Sequence, residues 1–239
     1  MKNIFKFFLI LFIILFIISC TKDEDEESSS SSSSSGSNTT ESRKFVAVGE
    51  AKKILTSSDG TSWTAAETGT VGYYQTFLDV TYGNSTFVAV GQNGLIMTSP
   101  DGTSWTKRWD GGYTTTIKAV TYGNGIFIGP CNCGYNSEKG ENISYLTSTD
   151  GISWTTGYLG TSGKLNDATY ANGIFVAVGD LGKIFTSSDG TSWTSRSSGI
   201  NPENVTPSED LNAITYGNSI FVAVGSENKT NSKDTILTS

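Results

Sequence analysis

Leu78-Asp79-Val80-Thr81-Tyr82-Gly83-Asn84-Ser85-Thr86-Phe87-Val88-Ala89-Val90-Gly91, then Leu95-Ile96-Met97-Thr98, then Ser99-Pro100-Asp101-Gly102-Thr103-Ser104-Trp105-Thr106 decides the fold, because the chain writes this stretch out repeatedly. Phe87-Val88-Ala89-Val90-Gly91 has counterparts beginning at Phe45, Phe127, Phe175 and Phe221, spaced 42, 40, 48 and 46 residues apart. The Asp101-Gly102 and Trp105 block recurs at Asp59-Gly60 and Trp63, Asp150-Gly151 and Trp154, and Asp189-Gly190 and Trp193. Val80-Thr81-Tyr82-Gly83-Asn84 returns around Tyr122, Tyr170 and Tyr216. Within one unit the pattern predicts four short strands: Leu78 to Tyr82, Thr86 to Val90, Leu95 to Thr98 and Ser104 to Thr106. They are rich in β-branched and aromatic residues and separated by turn residues. A four-strand unit of about 42 residues is the period of a propeller blade. The chain is therefore expected to be all-β, a propeller of about five four-stranded blades over residues 44–239.

Counting strands raises the question of closure. The first unit has no recognisable inner strand, and the sequence stops at Ile236-Leu237-Thr238-Ser239, where a fifth Asp-Gly block would begin. Either a five-blade ring closes imperfectly, borrowing a strand from the region of Asn38 to Thr40, or the chain is part of a larger propeller. An open ring would expose strand edges.

The Ser-x-Asp-Gly-x-Ser-Trp block resembles the Asp-box, or BNR repeat, of sialidase-like, sortilin-like and photosystem-assembly-factor-like propellers. This version has one residue fewer between Asp and Trp. The resemblance implies a structural role for Asp59, Trp63, Asp101, Trp105, Asp150, Trp154, Asp189 and Trp193, far from any active site. It also supplies a test for enzymatic activity. Sialidases use three arginines, a Tyr nucleophile with a Glu partner, and an early Arg-Ile-Pro signature. Here Arg43 borders a linker, Arg108 and Arg196 follow block tryptophans, and the signature is absent. Sialidase chemistry is not expected. Glycoside hydrolysis by a carboxylate pair is a separate hypothesis. Its best candidates are Asp79 and Asp167, which stand on inner strands where other units have Ala119 and Ala213. The competing role for both is to hydrogen-bond neighbouring backbone at the channel mouth.

The front of the chain carries an address. Lys2 and Lys6 precede an apolar run from Phe7 to Ile18, too short at about 18 Å for a hydrocarbon core about 30 Å thick. Residues 1–19 read as a secretion signal. Ile17-Ile18-Ser19-Cys20 resembles the lipobox of bacterial lipoproteins, which implies acylation of Cys20 and a palmitate-type anchor in the cell envelope. Residues 20–43, with the acidic run Asp23 to Glu27 and eight serines from Ser28 to Ser35, cannot bury apolar surface and read as a tether. The acidic run is similar to the export signal of some surface lipoproteins of the outer membrane, or is simply a solvating charge run. Processing would leave 14 basic and 23 acidic side chains.

Composition removes several classes of function. With no histidine, the commonest general base, the Ser-His and Cys-His pairs and most zinc sites are excluded. A sequence pI of about 4.6 argues against nucleic acid as a partner. No cofactor and no metal are expected. Ligand binding is expected instead on the face bearing the inter-blade loops and the loops between second and third strands, where Tyr73, Tyr74, Trp109, Tyr113, Tyr135 and Tyr158 cluster beside Asp110, Asn132, Asn136 and Glu138. Such rings suit a carbohydrate first and a protein partner second. The alternative is that they plug gaps between blades. Cys131 and Cys133, in the longest loop, are expected to form a stiffening disulfide in an exported protein, with free thiols and redox chemistry as the alternatives.

Overall fold

The computed structural model describes residues 17–20, 44–51, 53–69, 75–109, 115–138, 140–142, 144–160, 164–198, 210–226 and 235–238. Their strands form six antiparallel sheets, five of them meanders in chain order and the sixth a two-stranded hairpin. The first holds β1 (Ile17–Cys20), β2 (Phe45–Val48), β3 (Ile54–Ser57) and β4 (Thr64–Ala65). The second holds β5 (Phe77–Gly83), β6 (Thr86–Gly91), β7 (Ile96–Ser99) and β8 (Thr106–Trp109). In the third, an inner strand split into β9 (Thr116–Ile117) and β10 (Thr121–Gly123) pairs with β11 (Ile126–Asn132). A small hairpin of β12 (Tyr135–Asn136) and β13 (Glu141–Asn142) then leads to β14 (Tyr145–Ser148) and β15 (Thr155–Gly157). The fourth holds β16 (Leu165–Ala171), β17 (Ile174–Gly179), β18 (Ile184–Ser187) and β19 (Thr194–Arg196). The fifth has three strands, β20 (Asp210–Gly217), β21 (Ile220–Ser226) and β22 (Thr235–Thr238). These are the blades of a β-propeller.

The hairpin joining first and second strands is set by its turn residues. Asn84-Ser85, Asn124-Gly125, Asn172-Gly173 and Asn218-Ser219 all lie at positive φ, between 45° and 78°. Paired left-handed residues match the right-handed twist of the flanking strands, which is why Asn followed by Gly or Ser recurs here. The Phe-Val-Ala-Val run that follows fills the core. Phe87, Phe127 and Phe175 are buried, and each stacks on the tyrosine opposite it in the first strand, Tyr82, Tyr122 or Tyr170, at 4.6 to 4.7 Å. The glycine ending the run is demanded by a neighbour. A Cβ at Gly91, Gly179 or Gly225 would stand 2.1 Å from the carbonyl oxygen of Thr76, Lys164 or Asp210.

The Asp-Gly block forms the turn between third and fourth strands. Asp59 accepts from the N–H groups of Thr61 and Ser62 at 2.8 and 2.7 Å, while Ser57 Oγ donates to Asp59 and accepts from Gly60 N–H. The Trp63 indole N–H closes the loop on the Gly60 carbonyl at 3.2 Å. The arrangement repeats at Ser99, Asp101 and Trp105, at Ser148, Asp150 and Trp154, and at Ser187, Asp189 and Trp193. Since the tryptophan belongs to the turn, the fourth strand starts just after it, at Thr106 rather than at the expected Ser104.

These turns also join the blades. A Cβ on Gly102 would meet Val46 of the preceding blade at 2.9 Å, one on Gly151 would meet Val88 at 3.0 Å, and one on Gly190 would meet Ile128 at 2.8 Å. Asn84 and Asn124 reach forward to the carbonyls of Thr149 and Ser188 in the next blade's turn, both at 3.1 Å. Four apolar clusters fill the interfaces between successive blades. One expectation needs correction. Asn38 to Thr40, the segment expected to supply the inner strand of the first blade, lie outside the described residues. That strand is Ile17–Cys20, paired with β2 in the register Ile17 to Val48 and Cys20 to Phe45. As the strand count anticipated, the fifth blade has three strands among the described residues; Val224 is 40 % exposed, and none of the described residues lies within 4 Å of a Cβ built on Gly217, where Gly83 and Gly123 meet the tyrosine of the next blade.

Candidate functional site: the channel mouth and loop face

The inner strands of the second, fourth and fifth blades each shift register by one residue near their start, between Phe77 and Asp79, Leu165 and Asp167, and Leu211 and Ala213. The residues after the shifts in the second and fourth blades, Asp79 and Asp167, face the next blade. Asp79 accepts from Val80 N–H at 2.8 Å and, across the blade boundary, from Val120 N–H at 2.7 Å. Asp167 repeats this with Ala168 and Ile214, both at 2.8 Å. Two carboxylates thus satisfy the same backbone position in four blades, which accounts for the alternation of Asp79, Ala119, Asp167 and Ala213. The role anticipated for both acids, binding of neighbouring backbone, is the one observed. Burial pushes Asp79 up to about 7, its hydrogen bond from Val120 opposes that, and the charge of Asp167 pushes it further. Burial likewise pushes Asp167 up to about 6 against its bonds from Ile214 and Ala168. Both are half-buried side chains, each accepting from two backbone donors.

A second set of polar groups, not anticipated from the sequence, ties the blades together at the same end. Lys118 donates through Nζ to Asn166 Oδ1. Asn166 Nδ2 in turn donates to Asp180 at 3.2 Å and to the Leu211 carbonyl at 2.9 Å. Asp180 also accepts from Lys164 N–H, and Asp210 accepts from Leu181 N–H at 3.0 Å. Lys118 and Asn166 occupy the residue just before the Asp or Ala of the alternation. A polar residue inside an apolar strand was the one sequence signal that could have found them.

On the loop face, the structure brings together part of the expected aromatic set. Cys131 and Cys133 are joined by a disulfide at the end of β11. The β12–β13 hairpin follows and holds Tyr135 out to solvent, 64 % exposed. Its neighbour Asn136 donates to the Tyr158 hydroxyl at 2.8 Å, which ties this hairpin to the loop leaving β15. Tyr158 is half-buried and its hydroxyl also lies 3.2 Å from Thr156 Oγ1. Trp109 is no platform: it is half-buried against the cluster of Val88, Ile96 and Leu146, and plugs the space between blades. Tyr73, Tyr74, Tyr113 and Asp110 lie outside the described residues. Asn132 is half-buried and Glu138 exposed, its N–H bonded to Asn136.

The Asp-Gly turns sit at the opposite face. Backbone N–H groups hold Asp59 and Asp189 below the usual carboxylate range, and the Thr103 hydroxyl and N–H do the same for Asp101. Asp150 is lowered to about 2 by Ser153 and Ile152 N–H. These are acceptors saturated by their own loops. Arg108 and Arg196 donate through Nε to Thr98 and Thr186 on the adjoining strand. Among the described residues, no group of three His, Cys, Asp or Glu side chains is placed to hold a metal ion. No helix among them is long and apolar enough to cross a membrane.

No protein-family model matches the chain, and no curated protein does. Solved structures do. The chain is similar to YCF48 bound to D1 peptide, at 16% identity and a TM-score of 0.55, over 77% of this chain and 58% of that one. It is similar to the computationally designed Ika8 protein at 12% identity and a TM-score of 0.55, over 82% and 54%. The WD40 β-propeller domain of Doa1 matches at 13% identity and a TM-score of 0.52, over 76% and 58%. At these identities the likeness is one of fold, and it is to propellers. The chain spans little more than half the length of each.

Proposed function

We propose that this chain is a non-enzymatic β-propeller that binds a protein segment on its loop face. The observation carrying this is the exposed Tyr135 on a hairpin held at one end by the Cys131–Cys133 disulfide and tied to the next loop by Asn136 and Tyr158. Rings presented on a rigid scaffold contribute apolar contact at small entropic cost. The similarity to a propeller solved with a bound peptide supports a peptide-like ligand. Residues 45–239 carry 11 basic and 17 acidic side chains, so the complementary partner is basic.

A carbohydrate is the second reading, favoured by one feature: Tyr135 stands beside an amide, Asn136, and a hydroxyl, Tyr158, the combination a sugar face and rim require. Screening the folded chain and its Tyr135→Ala variant against basic peptide and glycan arrays separates the two. Peptide signals that disappear in the variant support the protein reading. Glycan signals that do so transfer it to sugar, and signals indifferent to Tyr135 move the site elsewhere.

We place the domain in the bacterial cell envelope, anchored through acylated Cys20, on the strength of the lipobox-like Ile17-Ile18-Ser19-Cys20 and the apolar run before it. This reading has a structural consequence. Cleavage before Cys20 removes three of the four residues of β1, so anchoring and the β1–β2 pairing are alternative uses of one segment. Mass spectrometry of membrane-extracted protein tests it: a diacylated N-terminal Cys20 is expected, and an intact Met1 or a non-acylated N-terminus refutes it.

A further inference from the structure

The connection from β17 to β18 is a tight turn, Asp180-Leu181-Gly182-Lys183, and its backbone pattern repeats. Gly179 N–H donates to the Lys183 carbonyl at 3.0 Å, and Lys183 N–H to the Asp180 carbonyl at 3.4 Å. Gly91, Gln92 and Leu95 make the same pair of bonds in the second blade, as do Gly49, Glu50 and Lys53 in the first. The first central residue of each turn is left-handed: Ala51 at φ 53°, Asn93 at 58° and Leu181 at 60°. A turn with two left-handed central residues favours Asn-Gly, and the second blade has that pair in Asn93-Gly94. The fourth blade keeps the glycine and sets a leucine before it.

Leucine is the wrong residue for this turn by local rules. At φ 60°, ψ 35° its Cβ crowds the following carbonyl, and it lacks the short polar side chain that lets asparagine bond locally there. Its side chain is 40 % exposed, so burial offsets only part of that strain. Hydrogen bonds hold the turn instead. Leu181 N–H donates to Asp210 Oδ1 at 3.0 Å, at the start of β20, while Asp180 accepts from Lys164 N–H and Asn166 Nδ2, both at 3.2 Å. The leucine is thereby fixed to the inner strands of its own blade and the next. A strained residue that its surroundings hold in place, presenting an apolar side chain to solvent, is characteristic of a recognition site.

Its place in the fold says which site. Tyr135 lies on the equivalent connection of the third blade, between β11 and β14, and is the most exposed large apolar side chain among the described residues. Tyr158, leaving β15, accepts from Asn136, the neighbour of Tyr135. Lys164, entering β16 at the other end of the same connection, donates to Asp180, the neighbour of Leu181. Tyr135 and Leu181 therefore stand on adjacent blades of one face, each tied through its neighbour to the connection between those blades.

We propose that Leu181 is the second anchor of the loop-face site, receiving an apolar side chain of the same peptide that Tyr135 contacts and so selecting basic peptides that carry one. This rests on the protein reading of that face and adds the residue that sets its specificity.

The probes are labelled nine-residue peptides of Lys, Arg and Ser, about 30 Å long when extended, with a single Leu at each position in turn and an all-polar peptide as reference. They are titrated into the full chain in detergent and read by fluorescence anisotropy. The parent should favour at least one Leu position tenfold over the reference. Leu181→Asn installs the second blade's residue, and should raise the thermal midpoint while reducing that preference to within twofold; Leu181→Gly, the second variant, should also abolish the preference. The proposal is overturned, with the protein reading intact, if binding depends on Tyr135 but the Leu preference is absent or survives both variants. It is overturned as well if Leu181→Asn lowers the midpoint, because the leucine then packs within the chain itself. If no peptide binds, or if binding ignores Tyr135, the protein reading falls and this inference falls with it.

Discussion

Asp79 and Asp167 each hold two backbone N–H groups, one in their own blade and one in the next, and this bridging fixes the sign of their pH dependence. Their carboxyls titrate near 7 and 6 in the folded chain, above the value of about 4 expected when unfolded. Folding therefore favours the protonated form. The stability they contribute is full below about pH 4 and is lost as pH rises through 6 to 7. Asp79→Ala leaves Val80 and Val120 N–H without this acceptor, and should cost about 1–3 kcal/mol at pH 5 but less at pH 8. Urea midpoints at the two pH values check this, and an equal loss at both would contradict the assignment. The turn aspartates behave oppositely. Held below the ordinary range, Asp101 and Asp150 contribute stability above about pH 4 that is lost as pH falls through their own lower values. Acid unfolding should therefore begin at the turns and not at the channel.

Hairpins and blade turns are the elements where side-chain choice can be varied most informatively. Ser85 and Ser219 occupy left-handed positions at φ 56° and 63°, where Gly125 and Gly173 stand in the third and fourth blades. Ser85→Gly and Ser219→Gly should each raise stability by about 0.5–1 kcal/mol, read as higher thermal midpoints, because the penalty on a Cβ in this region is removed. The opposite change at the end of β6 should be harmful. Gly91→Ala brings a Cβ to 2.1 Å from the Thr76 carbonyl oxygen, a backbone atom that cannot swing away, and should cost about 2 kcal/mol or more. The four strands of a blade were legible from alternation and turn residues alone. The start of the outer strand was misplaced by two residues because the tryptophan, which reads as a strand residue, is held in the turn by its own indole N–H.

Over the whole molecule, the turn tryptophans are unequally buried. Trp105 is buried between the first two blades, while Trp63, in the first blade, is half-buried, as are Trp154 and Trp193. Trp105→Ala should cost about 3–5 kcal/mol and Trp63→Ala clearly less, although their turns are alike in sequence. Chemical denaturation of the two variants tests it, and equal losses would mean that the first blade is covered by something outside the described residues. The acidic surface also has a consequence at this scale: association with a basic partner should weaken as salt rises from 50 to 500 mM, in roughly the manner of exposed charges screened over about 10 Å or less. A salt-independent affinity would argue for an apolar contact.

Much of the site was written in the repeat and some was not. The alternation of Asp79 and Asp167 with alanine marked the channel acids, and the spacing of Cys131 and Cys133 marked the disulfide. Lys118, Asn166 and Asp180 went unnoticed, because a network spanning 62 residues of sequence is assembled only when the third and fourth blades come side by side. Trp109 was taken for a loop ring, whereas the strand runs three residues past its expected end at Thr106 and carries Trp109 against the apolar cluster between blades.

The sequence by itself determined the blade: a period near 42 residues, alternating strands, Asn-Gly and Asp-Gly turns, and an aromatic pair per unit each follow from local sterics and local hydrogen bonds. Only the tertiary structure decided how blades meet. It chose Ile17–Cys20 as the inner strand of the first and set one carboxylate to serve two blades. Contacts between blades join residues some 40 positions apart through packing, and packing depends on which surfaces come to face each other.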